Sequence, residues 1–210
     1  MSTELTTPAR LTAPAERAWV LSDEPLPVRL MSTIWAAADG THDDLRTTAD
    51  VDAWLDAVGV DRAGAHTTDS ELERARALRD AVRRLAAYLT ADVRPDAQSA
   101  ITDVATALGQ LNSTAAELPA PCLALREGRL ELGVQGDASP VTAGLAQVAG
   151  QAVGLLAGED AGRLRACRAP GCVLYFIKAH PRREWCSVAC GNRVRAARHY
   201  QRAREQKADA

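Results

Sequence analysis

Four of the five cysteines in this 210-residue chain fall within 24 residues, as Cys167-Arg-Ala-Pro-Gly-Cys172 and Cys186-Ser-Val-Ala-Cys190. Two close pairs separated by 13 residues can deliver four thiolates to one tetrahedral ion, which is the donor set of a structural zinc site. Pro170-Gly171 favours a sharp turn inside the first pair, and Cys186 and Cys190, four apart, project from one face of a helix. With every position taken by sulfur, such a site is structural rather than hydrolytic. Redox thiol couples or unrelated core cysteines are the competing reading. His180, in the loop between the pairs, is expected to be solvated, and Cys122, alone, to be a small buried apolar residue.

Downstream of Cys190 the run Gly-Asn-Arg-Val-Arg-Ala-Ala-Arg-His-Tyr-Gln-Arg-Ala-Arg204 is rich in helix formers and free of proline. At about 100° per residue, Cys190, Val194 and Ala197 share the side towards metal and core, while Arg195, Arg198 and Arg202 line an adjoining side, with Asn192 and His199 near the stripe and Arg193 and Arg204 adding charge elsewhere around the helix. Guanidinium forks match phosphate oxygens and guanine edges, asparagine pairs with adenine, and a helix fits the major groove. The same arginines equally suit a solvated terminal helix docked on an acidic neighbour.

That neighbour is the rest of the chain. Residues 1–162 hold 13 Arg/Lys against 24 Asp/Glu, net −11, whereas residues 163–207 hold 12 against 2, net +10. The whole chain is 47% hydrophobic, 25% charged and 4% aromatic, which excludes a disordered, collagen-like or disulfide-scaffold protein. The uncharged stretch from Ala138 to Gly158 is mostly Ala, Gly, Thr and Gln, and reads as a buried helix rather than a membrane span. No secretory pattern opens the chain, so a cytoplasmic protein without a membrane partner is expected, and a reducing cytosol favours metal ligation over disulfides.

The elements that must position the cysteines follow from periodicity. Residues 1–25 read as a flexible leader, with Trp19–Leu21 as a short strand or anchor. Alternation across Val28, Leu30, Ser32 and Ile34 predicts a strand over 25–36. A capped helix runs from Thr47 or Thr48 to Gly59, and a longer one starts at a Ser70/Glu73 capping box, its stripe running from Leu72 to Leu89. A further helix follows Pro95 with Ile101, Val104, Leu108 and Leu111. Leu123, Leu125, Glu127-Gly128, Leu130 and Leu132 pattern a hairpin, and Ser139-Pro140 opens another helix that ends at Gly158. The fold class is α+β: a mainly helical N-terminal domain with a small sheet (26–162), then a small treble-clef-like zinc finger (163–207).

At Cys186-Ser-Val-Ala-Cys-Gly-Asn-Arg193, with Cys167, Cys172 and Trp185 upstream, the sequence closely resembles the CGNR zinc finger, named for the residues that stand here as Cys190 to Arg193. Asp44–Leu55, the arginine-rich central helix and the Leu-Glu-Leu hairpin resemble the ABATE domain that usually precedes that finger. The resemblance implies a bacterial stress-related transcriptional regulator, with a finger that binds DNA and an N-terminal domain that binds an unknown small molecule. Two departures stand out: Ser32-Thr33 occupies the place of an Asn-Thr pair, and three rather than four residues separate Cys186 from Cys190. The expected function is therefore a DNA-binding regulator and not an enzyme. Its metal is one structural Zn2+ on Cys167, Cys172, Cys186 and Cys190, and its DNA contacts are Asn192, Arg193, Arg195, Arg198 and Arg202. A protein- or RNA-binding adaptor, a thiol or zinc redox sensor, and homodimerisation stay open.

Overall fold

The computed structural model describes residues 21–37, 39–97 and 99–208. Most of the expected leader, with Trp19, lies outside them; of the remainder, Leu21 and Glu24 are buried. Helix α1 covers Leu26–Met31, where a strand was expected. Pro27 sits in its first turn, where a missing N–H costs nothing. Val28, Leu30 and Met31 are all buried, so the alternation reflects a short helix buried almost all round rather than a period of two. Strands β1 (Ile34–Ala37) and β2 (Gly40–Asp43) follow as an antiparallel hairpin.

Helix α2 (Thr48–Val58) has the expected ends: Thr47 and Asp50 form a capping box, and Gly59 closes it at φ 75°. Helix α3 (Asp69–Leu89) starts two residues earlier than expected, because Thr68 and Glu71 make the capping box in place of Ser70 and Glu73. Glu71 is chosen by a tertiary contact, since its other carboxylate oxygen accepts from the hydroxyls of Ser139 and Thr142. Helix α4 (Val104–Ala115) is capped by Asp103, and after Pro95 there is only a 3-10 turn, Pro95–Ala97.

The predicted hairpin is present as β3 (Ala120–Arg126) and β4 (Arg129–Gln135). Its Glu127-Gly128 turn has both φ angles positive, 49° and 78°, the twist a two-residue hairpin needs. Ser139 caps α5 (Pro140–Ala157) by accepting from the Thr142 amide. By length and composition α5 could cross a membrane, yet here it packs on α1, α3 and α4 with Val141, Leu145, Val148 and Ala152 buried. Strands β5 (Leu164–Ala166) and β6 (Tyr175–Ile177) pair antiparallel, and α6 (Val188–Ala208) ends the described chain.

Helix α3 is the axis of the molecule, touching α1, α2, α4, α5 and β5. Leu78, Val82 and Leu85 sit in a core with Trp54 and Leu145, and the same continuous cluster takes in Leu164, Tyr175, Phe176 and Val194. The charge switch at Arg163 is therefore crossed by one hydrophobic core. At the far end of α3 the stripe gives out, and Leu89 is 45% exposed.

Candidate metal centre

The first cysteine pair sits at the tip of the β5–β6 hairpin. Cys167 N–H donates to Leu174 (2.9 Å) and Cys172 N–H to Ala169 (3.0 Å), with Gly171 at φ 68° completing the turn. Tyr175–Ile177 (β6) thus pairs backward onto Leu164–Ala166 (β5) across the knuckle. The second pair comes from the start of α6: Ser187 Oγ accepts from the Cys190 amide at 3.3 Å, fixing Cys190 in the first turn.

All four sulfurs lie within 4.8 Å of one another and all four residues are buried. The Cys172–Cys186 and Cys186–Cys190 sulfurs are 3.8 and 3.5 Å apart, too far for disulfides. A tetrahedron with Zn–S bonds of about 2.3 Å has edges of about 3.8 Å. Thiols so close cannot all ionise beside one another: the contact with Cys172 pulls Cys167 down, while the contact with Cys167 pushes Cys172 and Cys186 up. A divalent cation removes that conflict. The cluster therefore fits one structural zinc, held by Cys167, Cys172, Cys186 and Cys190, and the ion supplies cross-linking rather than catalysis. His180 is exposed, accepts from the Arg182 amide and stands outside the cluster. Cys122 is only half-buried, on β3.

Three arginine assemblies join this centre to the N-terminal body. Arg94, just after α3, donates to the carbonyls of both Cys167 and Cys172. Its guanidinium is held by Asp92 at 2.6 Å, whose side chain is wholly buried and also accepts from Tyr175 Oη at 3.0 Å. Burial pushes the Asp92 carboxyl up, but the hydrogen bonds and charge of Arg94 outweigh it and hold the group below its ordinary value. Arg83, buried on α3, donates to the carbonyls of Met31 (3.0 Å), Ala97 and Val173 (both 3.3 Å), and lies over the Tyr175 ring. Burial lowers its pKa. Glu24 accepts from the Ile177 amide (2.9 Å) and pairs with Arg183 at 2.7 Å; Arg183 also donates to the Ile177 and Cys186 carbonyls and covers Phe176. Sequence reasoning missed Arg83, Asp92, Arg94 and Glu24. Only the unusual burial of an arginine inside an apolar helical stripe signals them, and that requires the fold.

Helix α6 is rooted for two turns and then leaves the body. Cys190, Gly191 and Val194 are buried, but Ala197, expected to face the core, is exposed, because the body ends below it. A Cβ at Gly191 would lie 3.3 Å from Trp185 Cδ1, so the smallest residue lets the helix seat against the tryptophan. Arg193 donates to the Pro170 carbonyl at 2.9 Å, tying the helix to the knuckle. Arg195 donates to Asn192 Oδ1. Arg195, Arg198 and Arg202 are exposed, and among the described residues none of them pairs with a carboxylate of the N-terminal body.

The class these features define is an α+β body carrying a four-cysteine zinc finger on a shared core. Residues 24–159 match the ABATE family, described as "Putative stress-induced transcription regulator", and residues 163–203 match the CGNR zinc finger. The chain belongs to the ABATE family, and its C-terminal segment is a CGNR zinc finger. Both are regulator and zinc-finger types rather than enzyme families. A comparison with curated proteins gives no match.

Proposed function

We propose that the protein is a cytoplasmic, stress-related transcriptional regulator whose finger contacts DNA through α6 and whose N-terminal body senses a small molecule. The observation that carries this reading is a zinc-rooted helix whose Arg195, Arg198 and Arg202 stand exposed and, among the described residues, unpaired with any carboxylate of the acidic body. They suit phosphate oxygens and guanine edges in a groove. Asn192 stands beside them, whereas the contact of Arg193 with Pro170 gives it a positioning role at the helix root. For the sensing step, a cleft of about 590 Å³ between Trp35, Ala36 and Ala37 of β1 and Pro170, Leu174 and Arg193 of the finger would couple an occupant to the angle of α6.

Salt-titrated binding of the full zinc-loaded chain to duplex DNA tests the reading. Each phosphate contact removed lowers the slope of log K against log salt by about 1, so the triple variant Arg195→Ala, Arg198→Ala, Arg202→Ala should lose affinity and about three units of slope. Unchanged affinity and slope, with zinc content intact, would refute it.

A further inference from the structure

The β3–β4 ribbon is amphipathic with its apolar side turned to water. Its register pairs Pro121 with Val134, Leu123 with Leu132 and Leu125 with Leu130, so these six residues share one face, since alternate residues of a strand point the same way. The five aliphatic ones are 66–80% exposed. The opposite face carries Cys122, Ala124 and Gly133, which are half-buried, and the exposed Arg126, Arg129 and Glu131. A two-stranded ribbon is marginal alone in water, and an antiparallel sheet solvated on one face normally presents its polar side there.

We infer that this face is a dimer interface, and that its occupant is the same ribbon of a second copy. The face holds no charge, which disfavours a nucleic acid or an acidic or basic partner. It is also self-complementary: Leu123 and Leu125 oppose Leu132 and Leu130, so two ribbons packed about a two-fold axis place leucines against leucines in an isologous contact. Each copy would bury roughly 600 Å² of aliphatic surface, giving about 1,200 Å² in all, which meets the lower bound of a specific interface. A patch of about 600 Å² lies at the upper end of what monomers leave uncovered, and patches of that size often serve as interaction sites. The inference stands independently of DNA binding, because neither α6 nor the metal centre takes part.

Sedimentation of the full zinc-loaded chain under reducing conditions, at micromolar concentration, tests it. Wild type should sediment at twice the chain mass. The double variant Leu123→Asp, Leu132→Asp should sediment at the single chain mass with zinc content and circular-dichroism spectrum unchanged, since both side chains are exposed in the single chain, and should melt as wild type does at dilutions where the dimer has dissociated. Glu131→Gln, on the opposite face, should leave the dimer intact. A monomeric wild type would overturn the inference and leave the face to a different partner. So would a Leu123→Asp, Leu132→Asp variant that remains dimeric, which would place the contact elsewhere.

Discussion

Tyr175 shows how single groups are tuned by the junction between finger and body. Burial comes first among the causes that raise its hydroxyl to about 12, followed by the charge of Asp92, which a tyrosinate would repel. A group whose pKa is raised by folding stabilises the protein fully below its unfolded value, near 10, and loses that contribution as pH climbs through the folded value. A rise of about two units corresponds to roughly 3 kcal/mol, lost between pH of about 10 and about 12. Subtracting the alkaline absorbance titration of Tyr175→Phe from that of wild type should isolate one tyrosine titrating at about 12. A difference curve centred at about 10 would contradict the buried hydrogen bond to Asp92. At this scale the zinc ligands were legible, because cysteine spacing is a local code. The carbonyl-binding arginines were not: Arg83 touches segments 52, 14 and 90 residues away, and composition carries no trace of such separations.

Caps and turns decide the elements, and they were read correctly wherever the competing groups were local. Thr47, Ser139, Gly59 and the Glu127-Gly128 turn all act as expected. Two of the departures, at α1 and at the start of α3, have non-local causes. Burial on nearly every side disguised α1 as a strand, and the demand of Ser139 and Thr142 for a carboxylate drew the α3 box back to Thr68 and Glu71. Losing a helix cap costs about 1 kcal/mol, so Thr68→Ala should lower the denaturant-derived stability by about that much. Ser70→Ala should change it by less than about 0.5 kcal/mol, as exposed substitutions do. Equal losses would restore the capping box expected from sequence.

On the scale of the molecule, opposite net charges to either side of Arg163 suggested two separate objects, whereas the structure builds them on one core. The described acidic body pairs no carboxylate with Arg195, Arg198 or Arg202 and instead grips the root of the finger through Glu24 before α1, Arg83 on α3 and Arg94 just after α3. Side chains from residues 164–194 complete the packing around α3. The cysteine spacing pointed to the ion that would support the finger. It could not show that the cysteine loops are bonded to the larger part, and so that metal loss should loosen both, since that depends on which carbonyls Arg83 and Arg94 reach.

Zinc-dependent folding followed by hydrogen exchange is the most direct check of that claim. The purified, reduced chain should contain one zinc per molecule. Its removal by chelation should strip exchange protection from β5, β6 and the start of α6, and also lower it in α3 near Arg83, because zinc-linked folding amounts to about 10 kcal/mol or more in small modules. A chain that is metal-free as purified yet folded, or one whose exchange is unchanged on chelation, would contradict the account.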